Sequence, residues 1–152
     1  MKGKKTDMKK ILVVAAHPDD EILGVGATVA KHAAQGDEVY ALILGEGQTS
    51  RGEHREDISA EVVKELHQNT LESAKKVGYK EVYFADFPDN RFDQVDLLDV
   101  VKAVEHKIKG IQPEIIYTHY SGDLNIDHQY TARAVLTATR PIGDYPVKAI
   151  YA

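Results

Sequence analysis

Two stretches crowd histidines and carboxylates together: AHPDDE at residues 16–21 and HYSGDLNIDH at residues 119–128. His17, Asp20 and His128 have the side chains a divalent metal needs. Two imidazoles and one carboxylate form a common catalytic zinc set that keeps one coordination position open for water. Zinc in such a set lowers the pKa of that water to about 7 and polarises a carbonyl. Fe2+, Co2+ and Ni2+ also accept these ligand types. Neighbouring carboxylates in a turn point in different directions, so Asp20 can ligate while Asp19 stays free to take a proton from the water. Glu21 reads as an acid in a first helical turn, favoured by the helix dipole and needing no other role. A competing reading makes DDE an ordinary N-cap cluster and His128 a first-turn residue beside an Asp127 cap.

The two stretches act together only if the fold brings them together. KKILVVAA (9–16) is continuous, short and β-branched, the pattern of a buried strand. A helix is expected from Asp20 to about Gln35, closed by Gly36–Asp37, and then a second strand, EVYALIL (38–44). Ser59 is a suitable N-cap for a helix ending at Val77, with Gly78 as its stop and Val62, Val63, Leu66, Ala74 and Val77 facing inward. KEVYFA is the third strand, DFPDNRFDQ a loop, and residues 95–109 a third helix with Leu97, Leu98, Val101, Val104 and Ile108 inward. EIIYT (114–118), a helix over about 128–139 and VKAIYA (147–152) complete the alternation.

Alternating units of this length require parallel strands, right-handed crossovers and helices on both faces. The expected fold is a Rossmann-like three-layer α/β sandwich with a mainly parallel sheet ordered 3-2-1-4-5. Ligands bind such sheets at the carboxyl ends of the strands, where the order reverses. Here that point lies between strands 1 and 4, and it sets AHPDDE opposite HYSGDLNIDH. This joint placement favours the metal reading over two unrelated helix caps. His32, His67 and His106 fall in helical patterns and His54 in a loop, without comparable partners.

Composition narrows the function classes. The 152 residues suit a single domain over 9–152 after a basic tail at 1–8, in which Met8 offers a second start. A net charge of −5 gives no basic footprint for nucleic acid or an anionic membrane. With no cysteine, disulfides are excluded and a metal must use imidazole and carboxylate ligands. The six apolar residues ILVVAA are too few for the core of a signal peptide, and acids follow at once. No stretch approaches the roughly eighteen apolar residues of a membrane span, so a cytoplasmic protein is expected. GEGQTSRG follows strand 2, whereas a dinucleotide site needs its glycine motif after strand 1, which disfavours a nicotinamide enzyme. Gly24 and Gly26 are expected to permit close approach of helix to sheet.

AAHPDDEILGVGATVAKHAAQG (15–36), PEIIYTHYSGDLNIDHQYTARAV (113–135) and PDNRFD (88–93) resemble the LmbE-like, or PIG-L, family of zinc-dependent de-N-acetylases. The similarity covers nearly the whole chain after residue 9. It implies hydrolysis of an N-acetyl group from an N-acetylglucosamine-type conjugate, with His17, Asp20 and His128 on zinc and Asp19 as general base. Many members carry a histidine three residues before the last ligand, where it steadies the oxyanion. Asn125 stands there in this chain, able to donate a hydrogen bond but unable to act as an acid. His119 is the alternative; without it, protonated Asp19 must deliver the proton to the leaving amine. Asp127 is read as a support for its ligand neighbour, and Arg51 and Asp123 as substrate-facing groups. Family members usually continue past a segment like VKAIYA. The chain is therefore expected to lack their usual C-terminal part and to form a homo-oligomer through an uncovered sheet edge.

Two other functions compete. One is a silent sugar- or metal-binding domain without its substrate wall. The other is a metal-dependent phosphoesterase using Asp123 and Asp127 to bridge a second ion.

Overall fold

The structure, a computed structural model, describes residues 8–142 and 147–152. The expected basic tail at 1–8 lies, Met8 apart, outside the described residues. Five strands, β1 (Lys10–Ala15), β2 (Glu38–Gly45), β3 (Glu81–Phe87), β4 (Ile115–Tyr117) and β5 (Ala149–Tyr151), form one sheet ordered β3-β2-β1-β4-β5. Every pairing is parallel, as the alternating pattern predicts. β1 pairs with β2 from Lys10–Glu38 to Ala15–Ile43 and with β4 from Ile11–Ile115 to Val13–Tyr117. The outermost strand on that side, β5, has only three residues.

Side chains of β1 alternate between two cores, as pleating requires. Leu12, Val14 and Ala16 pack with α4 (Leu97–Ile111) and α5 (Ile126–Ala138). Ile11 and Val13 pack with Val29 of α2 (Gly26–Ala34) and Ala74 of α3 (Ala60–Val77). A central strand covered on both faces has no polar position to spare, which explains its unbroken apolar run. The first polar side chain after it, His17, therefore emerges at the carboxyl edge of the sheet.

Several boundaries differ from expectation. The helix predicted from Asp20 to Gln35 is two helices, α1 (Asp20–Leu23) and α2. Val25, between Gly24 and Gly26, adopts φ −133° and ψ 9°, outside helical geometry. Each flanking glycine lowers helix stability by about 1 kcal/mol relative to alanine, so continuation there is weakly favoured. A Cβ on Gly24 would crowd the Asp20 carbonyl at 3.0 Å, so that glycine serves this turn, while one on Gly26 would make an ordinary contact with Ile22 at 3.6 Å; neither Cβ would come within 4 Å of a strand.

Helix α3 starts after Ser59 and stops at Gly78 (φ 111°) as expected, but Val62 is exposed and Thr70 buried on it. Helix α4 begins two residues later than expected and runs two residues further. It buries Val100 and Ile111 and leaves Leu98 exposed. Before it, Phe92–Gln94 forms a single 3-10 turn that sinks Phe92 entirely into the core, inside the segment read as a loop. Helix α5 starts at Ile126, so His128 lies in its first turn with Asn125, not Asp127, as the cap. Among the described residues, no helix is long and apolar enough to cross a membrane.

Candidate metal centre and active site

The turn from β1 to α1 folds back on itself. The His17 N–H donates to Asp20 Oδ2 at 2.9 Å, which aims that carboxylate at the His17 ring, 3.5 Å from Nδ1. From the opposite loop, His128 Nε2 reaches 3.3 Å from the same oxygen. One ligand atom from each of His17, Asp20 and His128 lies within 4.8 Å of the others. The sequence pattern and the sheet order thus bring these three residues to one point.

Each histidine is held from behind. His17 Nε2 lies 2.9 Å from Asp127 Oδ2 and 3.3 Å from Asp89 Oδ1. His128 Nδ1 lies 3.0 Å from Asp123 Oδ2. Carboxylates behind ligating imidazoles fix the tautomer and raise basicity. Asp127, fully buried, also accepts the Phe92 N–H at 3.0 Å. It therefore supports His17, across the crevice, rather than its sequence neighbour His128. Asp123 accepts the Asn125 N–H and lies against the His128 ring, and its partly exposed side chain also lines the crevice beside His119.

The electrostatics favour positive charge at this point. Burial alone would depress the His17 pKa, yet hydrogen bonds to Asp127 and Asp20 and the charges of Asp20 and Asp89 raise it to about 10. Burial opposes ionisation of Asp20, but the His128 and His17 contacts hold its pKa well below the usual carboxylate range. The bond to Asp20, opposed by burial and helped by Asp123, raises His128. A divalent ion fits this donor set, because it supplies the positive charge that a proton on His17 otherwise supplies. A second group, His17 with Asp89 and Asp127, uses the opposite ring nitrogen of His17.

Asp19 is exposed and lines a cavity of about 230 Å³ together with His17, Gln48, Arg51, Asp89 and Asn90. Burial and the charge of Asp20 raise its pKa, a shift toward a group that can both take and return a proton. Arg51 thus lies on the Asp19 side of the candidate ligands. A smaller cavity of about 140 Å³ lies on their other side, lined by Gly24, Tyr117, His119, Asp123 and the candidate ligands Asp20 and His128. A larger space of about 560 Å³ beside Arg55, His67 and Asp86 includes none of the ligand residues in its lining.

His119 stacks on His128, with ring centroids 3.9 Å apart, and its Nε2 accepts the Ala16 N–H at 2.8 Å. That acceptor role places its proton on Nδ1, and burial lowers its pKa to about 4. Asn125 Oδ1 accepts the Asp127 and His128 N–H groups, capping α5, while Nδ2 donates to Asn90 Oδ1.

Residues unassigned in the sequence complete the crevice. Asp89 accepts from the Ser50 hydroxyl at 2.6 Å and its backbone N–H at 3.2 Å, and Asn90 links Ser50 to Asn125. The PDNRFD segment therefore ties the loop after β2 to the start of α5. Its density of acids and amides after a strand was the available signal.

An α/β protein with a His–Asp–His set at its switch point, flanked by a free carboxylate, defines a class of candidate metal-dependent hydrolases. The profile of the family PIG-L: GlcNAc-PI de-N-acetylase matches residues 12–139, and the chain belongs to that family. It is 30% identical over 139 residues to the uncharacterized deacetylase YaiS of Escherichia coli K12, covering 88% of this chain and 70% of that protein. It is 30% identical over 111 residues to the diacetylchitobiose deacetylase of Thermococcus kodakarensis, covering 72% of this chain and 40% of that one. The fold superposes on N,N'-diacetylchitobiose deacetylase from Pyrococcus horikoshii with a TM-score of 0.75 at 21% identity, over 92% of this chain and 53% of that one.

Proposed function

We propose that this chain removes the N-acetyl group from an N-acetylglucosamine-type conjugate by metal-dependent hydrolysis. The observation that carries the reading is the meeting of one ligand atom each from His17, Asp20 and His128 within 4.8 Å, beside the cavity that Asp19 lines. Relatives named as deacetylases support the reaction class. His17, Asp20 and His128 would hold the ion, with zinc favoured by their nitrogen and oxygen donors. The bound ion supplies Lewis acidity toward the amide carbonyl and the attacking water.

The chain's own groups do the remaining work. Asp19 takes the proton from water as the C–O bond forms, then returns it to nitrogen as the C–N bond breaks, leaving acetate and a free amine. Two features support giving Asp19 both steps: the His119 ring is neutral, and its Nε2 is occupied by the Ala16 N–H. Asn125 retains one amide hydrogen beyond its bond to Asn90, which suits donation to the developing oxyanion. Arg51 shares the wall of the Asp19 cavity, which supports a contact from it to the sugar hydroxyls.

Metal analysis combined with free-amine release from a panel of N-acetylglucosamine conjugates tests the reading. Wild type should bind one ion per chain and release amine. Asp19→Ala should bind the ion and lose roughly 10²- to 10⁴-fold in kcat. An Asp19→Ala variant that is fully active would remove Asp19 from the mechanism.

A further inference from the structure

The acid that follows the metal ligand is not a surface helix residue. Glu21 is only 1% exposed, and its Oε2 accepts the backbone N–H of Asp19 at 2.9 Å. Its other oxygen is buried with no hydrogen-bond partner among the described residues. A leucine would fill this volume without desolvating a carboxylate, so packing alone does not account for an acid here.

Asp19 has the backbone that needs such an acid. Its φ of 106° and ψ of −30° lie in a region that residues with a Cβ avoid. Its carbonyl accepts the Ile22 and Leu23 N–H groups at 3.0 and 2.9 Å, which leaves its own N–H turned back toward Glu21. Glu21 is itself anchored, because the buried Tyr79 hydroxyl donates to its carbonyl oxygen at 2.7 Å. The chain of contacts thus runs from the turn before β3, through α1, to the carboxylate that faces the polar cavity.

We infer that Glu21 is a positioning residue: its buried carboxylate holds Asp19 in the strained backbone conformation that directs the Asp19 side chain at the reacting water. The inference rests on the deacetylase reading for its kinetic consequence and on the Glu21–Asp19 bond for its structural one. It differs from a packing role in a simple way. What matters at position 21 is a hydrogen-bond acceptor, not volume.

Glu21→Gln keeps an acceptor, and Glu21→Leu keeps volume alone. Each is compared with wild type for bound zinc, kcat, KM and the amide proton shift of Asp19 in a ¹H–¹⁵N spectrum. The leucine variant should hold one ion with KM changed less than about twofold, while kcat falls about 10- to 100-fold, the cost of a displaced catalytic group. Its Asp19 amide proton should move strongly upfield. The glutamine variant should keep kcat within about threefold, with a smaller upfield shift, since a neutral acceptor binds the N–H less tightly. A leucine variant with wild-type kcat, or an Asp19 amide that does not move in it, overturns the inference. If the leucine variant does not fold, the glutamine variant decides: an unmoved Asp19 amide overturns the inference there too. A wild type that binds zinc but releases no amine defeats the deacetylase reading, and the amide shift still decides whether Glu21 holds Asp19.

Discussion

The two loops that meet at the switch point deliver the candidate metal ligands by opposite means. The β1–α1 turn places His17 and Asp20 within a few residues, through a self-folded backbone with a positive φ at Asp19 and a buried acid beneath. The β4–α5 loop is long and open, with Tyr120 exposed and Leu124 99% exposed, and it places His128 by starting a helix at the right point. The supports differ in the same way. His17 leans on Asp127, which is wholly buried, and His128 leans on Asp123, which is partly exposed. A tight turn fixes geometry by local strain and buried polar bonds, whereas a helix start fixes it by capping and tolerates a solvent-exposed approach path. Damage should therefore be severe on the His17 side and mild on the His128 side.

The largest effect is expected from Asp127→Ala. It strips the partner from His17 Nε2 and from the Phe92 N–H in a dry environment, a loss of about 3–5 kcal/mol by analogy with broken buried pairs. Calorimetry of the metal-free variant measures it, and a cost near that of a surface substitution would erase the contrast between the loops.

Next comes pH. The folded-state pKa of His17 is raised from 6.5 to about 10, so its contribution to metal-free stability is complete below about pH 6.5 and lost as pH rises through 10. The metal-free protein should melt at progressively lower temperature across that window. Zinc affinity should rise across it, by up to about tenfold per pH unit for each proton released. Zinc titrations at several pH values that show no slope would contradict the assignment of that proton.

Asp123→Ala should weaken zinc binding roughly tenfold through the loss of His128 orientation, with little change in stability because the carboxylate is solvated. Asn125→Ala removes the α5 cap and should cost about 1 kcal/mol in denaturant melts. A loss as large as that of Asp127→Ala would show the second loop to be as tightly built as the first.

Much of this arrangement is written in periodicity. The apolar run of β1 and the alternating β and α units point to a parallel sheet, and the order β3-β2-β1-β4-β5 brings His17 and Asp20 opposite His128. What periodicity does not carry is the burial of single polar side chains. Glu21 has the sequence context of any first-turn acid, and only the folded turn shows its carboxylate beneath Asp19. Asp89 was hidden for a topological reason. It follows β3, at the sheet edge, but the chain must then cross the carboxyl ends of β2 and β1 to reach α4 on the opposite face, and this crossing takes Asp89 to His17. The cap at Asn125 shifts α5 by one turn's fraction from its expected start, which turns Asp127 inward toward His17 instead of leaving it as the cap.

The central claim is that one ion sits on the Nδ1 side of His17. Anomalous diffraction at the zinc edge from crystals grown with zinc tests it most directly. A single peak contacting His17, Asp20 and His128 is expected, with Asp89 and Asp127 on the far side of the His17 ring. A peak between His17 Nε2, Asp89 and Asp127 would contradict the claim, and with it the placement of Asp19 beside the ion.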